Sequence, residues 1–445
     1  MTAPDLSPKH SPKGANAGNA HRAKPAVVYI TYDGLLEPLG ESQVVAYMKK
    51  LAAEWQIHIV SFEKKADREN VSRMSDMRSQ LTAAGIKWTP LAYHKSPTVP
   101  ATAFDITHGA VVASWLAFRH KAAIVHARSY VPGLMALAVK KLTGAKLLFD
   151  IRGFWADERV DGGIWPKDGR LYRGAKKCET LLLKSADQIV TLTNASVREI
   201  ASFPYFKGRS PALAVIPTCA DLNRFKPHGE PSKEPFVFGY VGTVGTWYLL
   251  DEIVAFYVAL ARRLPDARML FVNRGEHDAI RAKMSEHGVA PDRYEIVAAE
   301  HRDVPKHISR MHAAAAIIKP AYSKIASAPT KFAEYLGCGV PCVGNIRVGD
   351  MEELLEGKRV GVALHDFSKA DIEITVDRLL ALLDDPELRN RCMATAQEIF
   401  SLESGVAKYR SLYLRLSGAD QRAATPANNP IAADAVISHS QPSSR

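Results

Sequence analysis

Three lysines and one glutamate share residues 319–343, KPAYSKIASAPTKFAEYLGCGVPCV, in an order that could hold a phosphorylated ligand. Residues 315–318 read as a short apolar strand, the Ser- and Pro-containing segment after them as a loop, and the rest as a helix stopping at Gly337 and Gly339. A helix N-terminus presents unpaired N–H groups and a partial positive charge, which suits a phosphate. Glu334 falls about one turn in, where a carboxylate can accept from the paired hydroxyls of a ribose. The pattern reads as a nucleotide-diphosphate site; an ordinary strand–loop–helix connection with a solvated glutamate would look the same.

Four other segments fall at the carboxyl ends of expected strands. Gly40 in EPLGESQV can let backbone approach a ligand, or simply start a helix. His126 and Arg128 in IVHARSY follow a buried strand, where a histidine serves either as a hydrogen-bonded structural residue or in catalysis. In DIRGFWADERVDGGIW, Arg152 follows a strand and Asp157, Glu158, Arg159 and Asp161 lie between Trp155 and Trp165, the composition of a binding loop. GYVGTVGTWY places Gly242, Thr243 and Gly245 between a strand and a helix, without the spacing of a dinucleotide or P-loop motif. DxD, HExxH and GxSxG are absent. A metal-independent, cofactor-free reaction resting on positioning and fixed charge is therefore expected.

The elements that must carry these residues alternate. AVVYIT, IHIVSF, AAIVHARS, KLLFDIRG and QIVTLT read as strands, with helices between them, one having Val44, Tyr47, Met48 and Leu51 on a single face. After FPYFKGRSPA a second series begins: ALAVIP, FVFGYVG, RMLFVN, YEIVAA, AAIIKP and CVGN, again with helices between, and a last helix near 393–416. Two doubly wound sheets facing across a cleft follow from this order.

A chain of 445 residues is long for one core. The expected division is a 1–24 disordered tail, a first unit 25–205, a second unit 206–395, a crossover helix 396–416 and a 417–445 tail. A net charge of +11 favours acidic partners, among them an anionic membrane surface. The one dense basic run, RGAKKCE, is too short for a nucleic-acid groove, so no nucleic acid is expected. Five cysteines without CxxC fit reduced thiols in the cytoplasm. The start lacks an apolar signal region, and no apolar run approaches the roughly 18 residues that span a bilayer.

Taken in order, the Gly40 loop, the strand with HxR, Glu179-x7-Asp187, VIPTCADLNRFKP, FGYVG, PTKFAEYLGCGVP and FSLESGVAKYRSLY resemble the retaining glycosyltransferases of the GT-B fold, family 4 type, over residues 26–416. The resemblance implies a nucleotide-diphosphate sugar held mainly by the second unit, and a lipid-linked or saccharide acceptor bound by the first. The terminal helix would cross back to the first unit. Glu334 would hold the ribose, Thr330 and Lys331 would lie by the diphosphate with Gly242 and Thr243, and the segment around Val297 and Ala299 would meet the base. His126 or Arg128 would stand near the donor sugar.

Two departures bear on mechanism. The family's earlier motif carboxylate falls at Ala326, and the two cations of its second-unit glycine loop are missing, with Thr243 in place of the first. Lys324 and Lys331 are expected to substitute for them, with Arg152 and Arg274 as outside candidates. The same departures motivate a catalytically silent sugar-nucleotide-binding protein, and the scaffold also suits a sugar-nucleotide epimerase. The expected location is the cytoplasm, peripheral on the inner face of the membrane.

Overall fold

The computed structural model describes residues 24–232 and 234–418. The two tails expected from composition lie essentially outside these residues. Within them stand two parallel sheets, each flanked by helices.

The first sheet contains β1 (Ala26–Thr31), β2 (Gln56–Glu63), β3 (Lys87–Ala92), β4 (Ile124–Arg128), β5 (Lys146–Asp150), β6 (Gln188–Thr191) and β7 (Leu213–Val215), in the order β3-β2-β1-β4-β5-β6-β7. Its central strands β1 and β4 are buried along their whole length because helices cover both faces. The second sheet contains β8 (Val237–Val241), β9 (Arg268–Val272), β10 (Tyr294–Val297), β11 (Ala313–Ala315), β12 (Cys342–Asn345) and β13 (Gly361–Leu364), in the order β10-β9-β8-β11-β12-β13. The strand order reverses between β1 and β4 in one sheet and between β8 and β11 in the other. Ligands of such sheets bind outside the carboxyl ends at those reversals.

Several elements differ from expectation. β7, assigned by sequence to the second unit, pairs with β6, so the first sheet extends past the boundary expected at 205. β3 and the helix Thr98–His120 were not anticipated: Pro90 interrupts the strand pattern, and the helix is apolar on two faces. The apolar run 111–118 is part of that helix. Met351–Gly357 and β13 were also missed. The expected helix 393–416 breaks at Ser401, whose extended backbone and side chain cap a new helix, Leu402–Ser417.

That terminal helix returns to the first unit. Gly405 lies against Tyr47 so closely that a Cβ would come within 2.9 Å of its ring, and Arg410 bonds Glu54 at 2.7 Å. The two crossings of the chain between units run side by side, with Ala220 N–H donating to the Phe400 carbonyl at 2.8 Å and Leu402 N–H to the Ala220 carbonyl at 3.1 Å.

Candidate active site

At the end of β8, Gly242 takes φ +112, a conformation glycine adopts without strain. Its N–H donates to the Val272 carbonyl at 2.9 Å, and its carbonyl accepts from Asn273 Nδ2 at 3.0 Å. The loop is thus pinned to the end of β9. Glu276 accepts from Val244 N–H at 3.3 Å on the same loop. Thr243 is exposed, its carbonyl accepting from the Tyr240 hydroxyl.

Lys331 lies beneath this loop, in the first turn of helix Thr330–Gly337. Its Nζ stands 4.0 Å from the centre of the Tyr240 ring and 3.4 Å from that of Tyr248, yet has no hydrogen-bond partner. A Cβ on residue 242 would approach Nζ to 3.2 Å, so glycine leaves the ammonium its room. Burial pushes the Lys331 pKa well below the usual 10.5, against the opposing pull of Glu334, Cys342 and Glu276. An unpaired buried ammonium costs several kcal/mol, more than the roughly 2 kcal/mol that desolvated ring contacts return. An anion arriving from outside would supply the missing partner. No side chain caps the helix, and Thr330 at its first position is partly exposed.

One turn further, Glu334 is buried, with Oε1 3.5 Å from His301 Nε2. His301 follows β10 and lies over Phe225. It is absent from the sequence reading, since a histidine in a polar loop carries no periodic signal. Val297 ends β10, Ala299 is buried, and Glu300 pairs with Arg274 at the exposed rim. Such a surface pair is worth little, so Arg274 could exchange Glu300 for a ligand at small cost.

Lys324 is differently engaged. Its Nζ reaches across the cleft to Glu158 Oε1 at 2.8 Å and stands 3.5 Å from the centre of the Trp247 ring. Around it, Ser323 N–H donates to Asp161 at 2.9 Å, the Tyr322 hydroxyl bonds Glu199 at 2.7 Å, and the Thr193 hydroxyl bonds the Ile325 carbonyl at 2.7 Å. Asp350 accepts from the N–H groups of Asn194 and Ala195, capping a first-unit helix from the second unit. Ala326 is fully buried among Phe149, Phe154 and Leu182 of the first unit. A carboxylate there would lose its hydration without gaining a partner, which accounts for alanine at that position.

On the first unit, His126 and Arg128 alternate onto the same face of β4 but have different surroundings. His126 is 0% exposed, shares a 2.8 Å hydrogen bond with the Tyr413 hydroxyl and packs on Tyr29 and Tyr409. Burial, aided by Arg128 and Arg152, drives its pKa well below 6.5 and keeps it neutral. It packs under the terminal helix within the core of the first unit, with its Nε2 unpartnered. Arg128 donates to Asp33 at 3.3 Å and lies 3.8 Å from Asp150. Arg152 also stands 3.8 Å from Asp150 and donates to the Thr218 hydroxyl at 3.4 Å. Its φ of +58 is strained for a branched-free but long side chain, by about 1–3 kcal/mol, and sits where function is often found. Asp150, which also accepts from Tyr409 at 2.9 Å, thus organises both arginines and was not singled out by sequence. At Gly40 a Cβ would lie 2.0 Å from the Gly34 carbonyl, so the close approach seen there is to the chain's own loop.

Two facing parallel α/β units, with a terminal helix returned to the first, constitute the GT-B glycosyltransferase fold. Within it, residues 41–219 match the family model of the glycosyl transferase 4-like domain. Solved structures share the fold across the chain. Sucrose-phosphate synthase from Thermosynechococcus elongatus aligns with TM-score 0.65 and 13% identity over 89% of this chain and 100% of its own. HepE from Anabaena, solved with UDP and glucose, gives 0.62 and 14% over 88% and 100%. The lipopolysaccharide outer core galactosyltransferase WaaB gives 0.63 and 12% over 88% and 99%. Among curated proteins, none matches the chain in sequence. Domain and fold together support glycosyl transfer as the general activity.

Proposed function

We propose that the chain transfers a sugar from a nucleotide-diphosphate sugar to a lipid-linked or saccharide acceptor, with retention of anomeric configuration and without a metal. The observation that carries this reading is the buried, unpartnered Lys331 ammonium under Gly242, one turn before Glu334. A diphosphate seated on the Gly242 loop and the Thr330 helix end meets that charge, while Glu334 takes the ribose hydroxyls and the 297–301 segment borders the base. Charge developing on the leaving diphosphate is offset by fixed cations, here Lys331 with Arg152 or Arg274. HepE, which has the same fold, was solved with UDP-glucose, and this supports a donor of that class.

The acceptor would enter between the Arg128–Asp33 pair and Arg152. The cytoplasmic face of a membrane is the proposed site of action.

The test is a thermal-shift screen of nucleoside diphosphates and their sugars, followed by product analysis with the best binder. Release of nucleoside diphosphate with a product that keeps the donor's anomeric configuration, insensitive to chelator, is expected. A second reading, a binding protein without turnover, draws on Ala326 being committed to the interface; binding without any transfer or hydrolysis would establish it.

A further inference from the structure

The helix Thr98–His120 turns apolar residues to both sides. Ala101, Asp105, Gly109, Ala113, Leu116 and Ala117 face the sheet and the neighbouring helix. Gly109 there allows contact so close that a Cβ would lie 2.6 Å from the Met135 sulfur. The opposite side carries Phe104, Val111, Trp115 and Phe118, which are 57%, 64%, 62% and 77% exposed. Their spacing of seven, four and three residues puts all four on one stripe, about 20 Å long at 1.5 Å per residue. A surface helix normally turns polar residues outward, and single exposed apolar side chains are common; here four share one face, interrupted only by Thr107 and His108, a grouping that marks a contact surface.

Charge identifies the partner. The only carboxylate in this helix, Asp105, is buried and bonded to Tyr32 at 2.7 Å and to the His94 ring at 2.6 Å. The exposed charges that border the stripe are cations: Lys95 before the helix, Arg119 in its last turn and Lys121 after it. Leu142, 73% exposed, and Lys141 repeat the pairing at the end of the adjacent helix Tyr130–Thr143. Aromatic and aliphatic side chains with a cationic border, and no exposed acid on the helix, are the chemistry of an interfacial helix on anionic lipid.

We propose that this outer face docks on an anionic bilayer, with Phe104, Val111, Trp115 and Phe118 in the headgroup–acyl boundary. The helix begins at the carboxyl edge of the first sheet, because it leaves β3 and returns to β4, and Tyr32 after β1 is bonded to it there. Phe104 lies nearest that edge and Phe118 nearest the amino edge, so docking lays the first unit on its side with the carboxyl edge beside the lipid surface. The orientation of a lipid-linked acceptor rests on the transferase reading; the docking does not.

The full chain is sedimented with vesicles of phosphatidylcholine alone and of phosphatidylcholine with one quarter phosphatidylglycerol. Binding only to the anionic vesicles, weakened by salt, is expected. Combined Phe104→Ser, Trp115→Ser and Phe118→Ser lowers it at least tenfold with the circular-dichroism melt preserved. Arg119→Glu with Lys121→Glu lowers binding and flattens the salt dependence. Equal binding by the serine variant, or no binding by the native chain, overturns the proposal. So does a native dimer that the serine substitutions dissolve, which would make the stripe a contact between copies. A nucleotide-sugar thermal shift on the same samples is unchanged by the substitutions; vesicle binding without any such shift would overturn the donor reading and leave the lipid face standing.

Discussion

Lys324 Nζ and Glu158 Oε1, 2.8 Å apart, join the two halves of the molecule across the cleft in which the donor sugar would lie. The lysine side chain is 8% exposed and the glutamate 41%, so the bond is shielded on one side only. The residue expected to neutralise phosphate is therefore engaged by a carboxylate of the opposite unit.

Glu158→Gln separates the two roles of Lys324. Losing the charge-assisted bond costs the interface about 1.5–3 kcal/mol, read as faster hydrogen exchange of amides 322–327. If Lys324 also meets the diphosphate, donor affinity holds or rises in Glu158→Gln and falls in Lys324→Met. Equal losses in both would assign the lysine to the interface alone.

Lys331→Met keeps the volume between Tyr240 and Tyr248 and removes the ammonium. The ligand-free melting temperature should hold or rise, because the desolvation cost disappears. Transfer should fall by two orders of magnitude or more, measured as initial rates with saturating acceptor. Near-native rates would remove Lys331 from the diphosphate site.

The depressed Lys331 pKa has a signed consequence. Between that value and 10.5 the unfolded chain holds the proton that the folded chain has lost, so this residue makes stability rise with pH across the window. Lys331→Met flattens that part of the profile. A diphosphate partner restores the charged form, so donor binding within the window takes up a proton. Calorimetry in buffers of different ionisation enthalpy reads that uptake.

His58 gives a second window of the same sign at lower pH. It is 1% exposed, neither ring nitrogen has a partner, and burial beside His120 and Lys87 lowers its pKa to about 4. Below 6.5 the unfolded chain binds this proton first, so stability falls as pH drops from 6.5 towards 4. His58→Leu should make the melt less acid-sensitive over that range.

Ala326→Glu would restore the family's carboxylate in sequence but not in environment. Burial among Phe149, Phe154 and Leu182 should cost several kcal/mol and open the interface, seen as a lower melting temperature and a larger radius of gyration. Gain of activity without these changes would contradict the observed docking.

What could be read from the sequence was local. Lys331 and Glu334 lie within one helical turn, and the Gly242 loop joins an unbroken strand to a helix, so their neighbourhood follows from spacing. The burial of His126 could not be read, because Tyr413, which covers it, is 287 residues away. Asp150 was obscured for the same reason: besides Arg152, two residues on, its side-chain partners come from β4 and the terminal helix. The helix Thr98–His120 escaped because its two apolar faces blur the usual one-sided period, and that second face is what proved informative.

The paired crossings at Ala220 and Ser401 set how the halves can move. One peptide crossing would act as a swivel, free to twist about its own axis. Two crossings laced by the Ala220–Phe400 and Leu402–Ala220 hydrogen bonds resist torsion and yield chiefly to bending across their common line. The halves would open as covers turn on a spine, so that separation and realignment of their facing surfaces become a single coordinate.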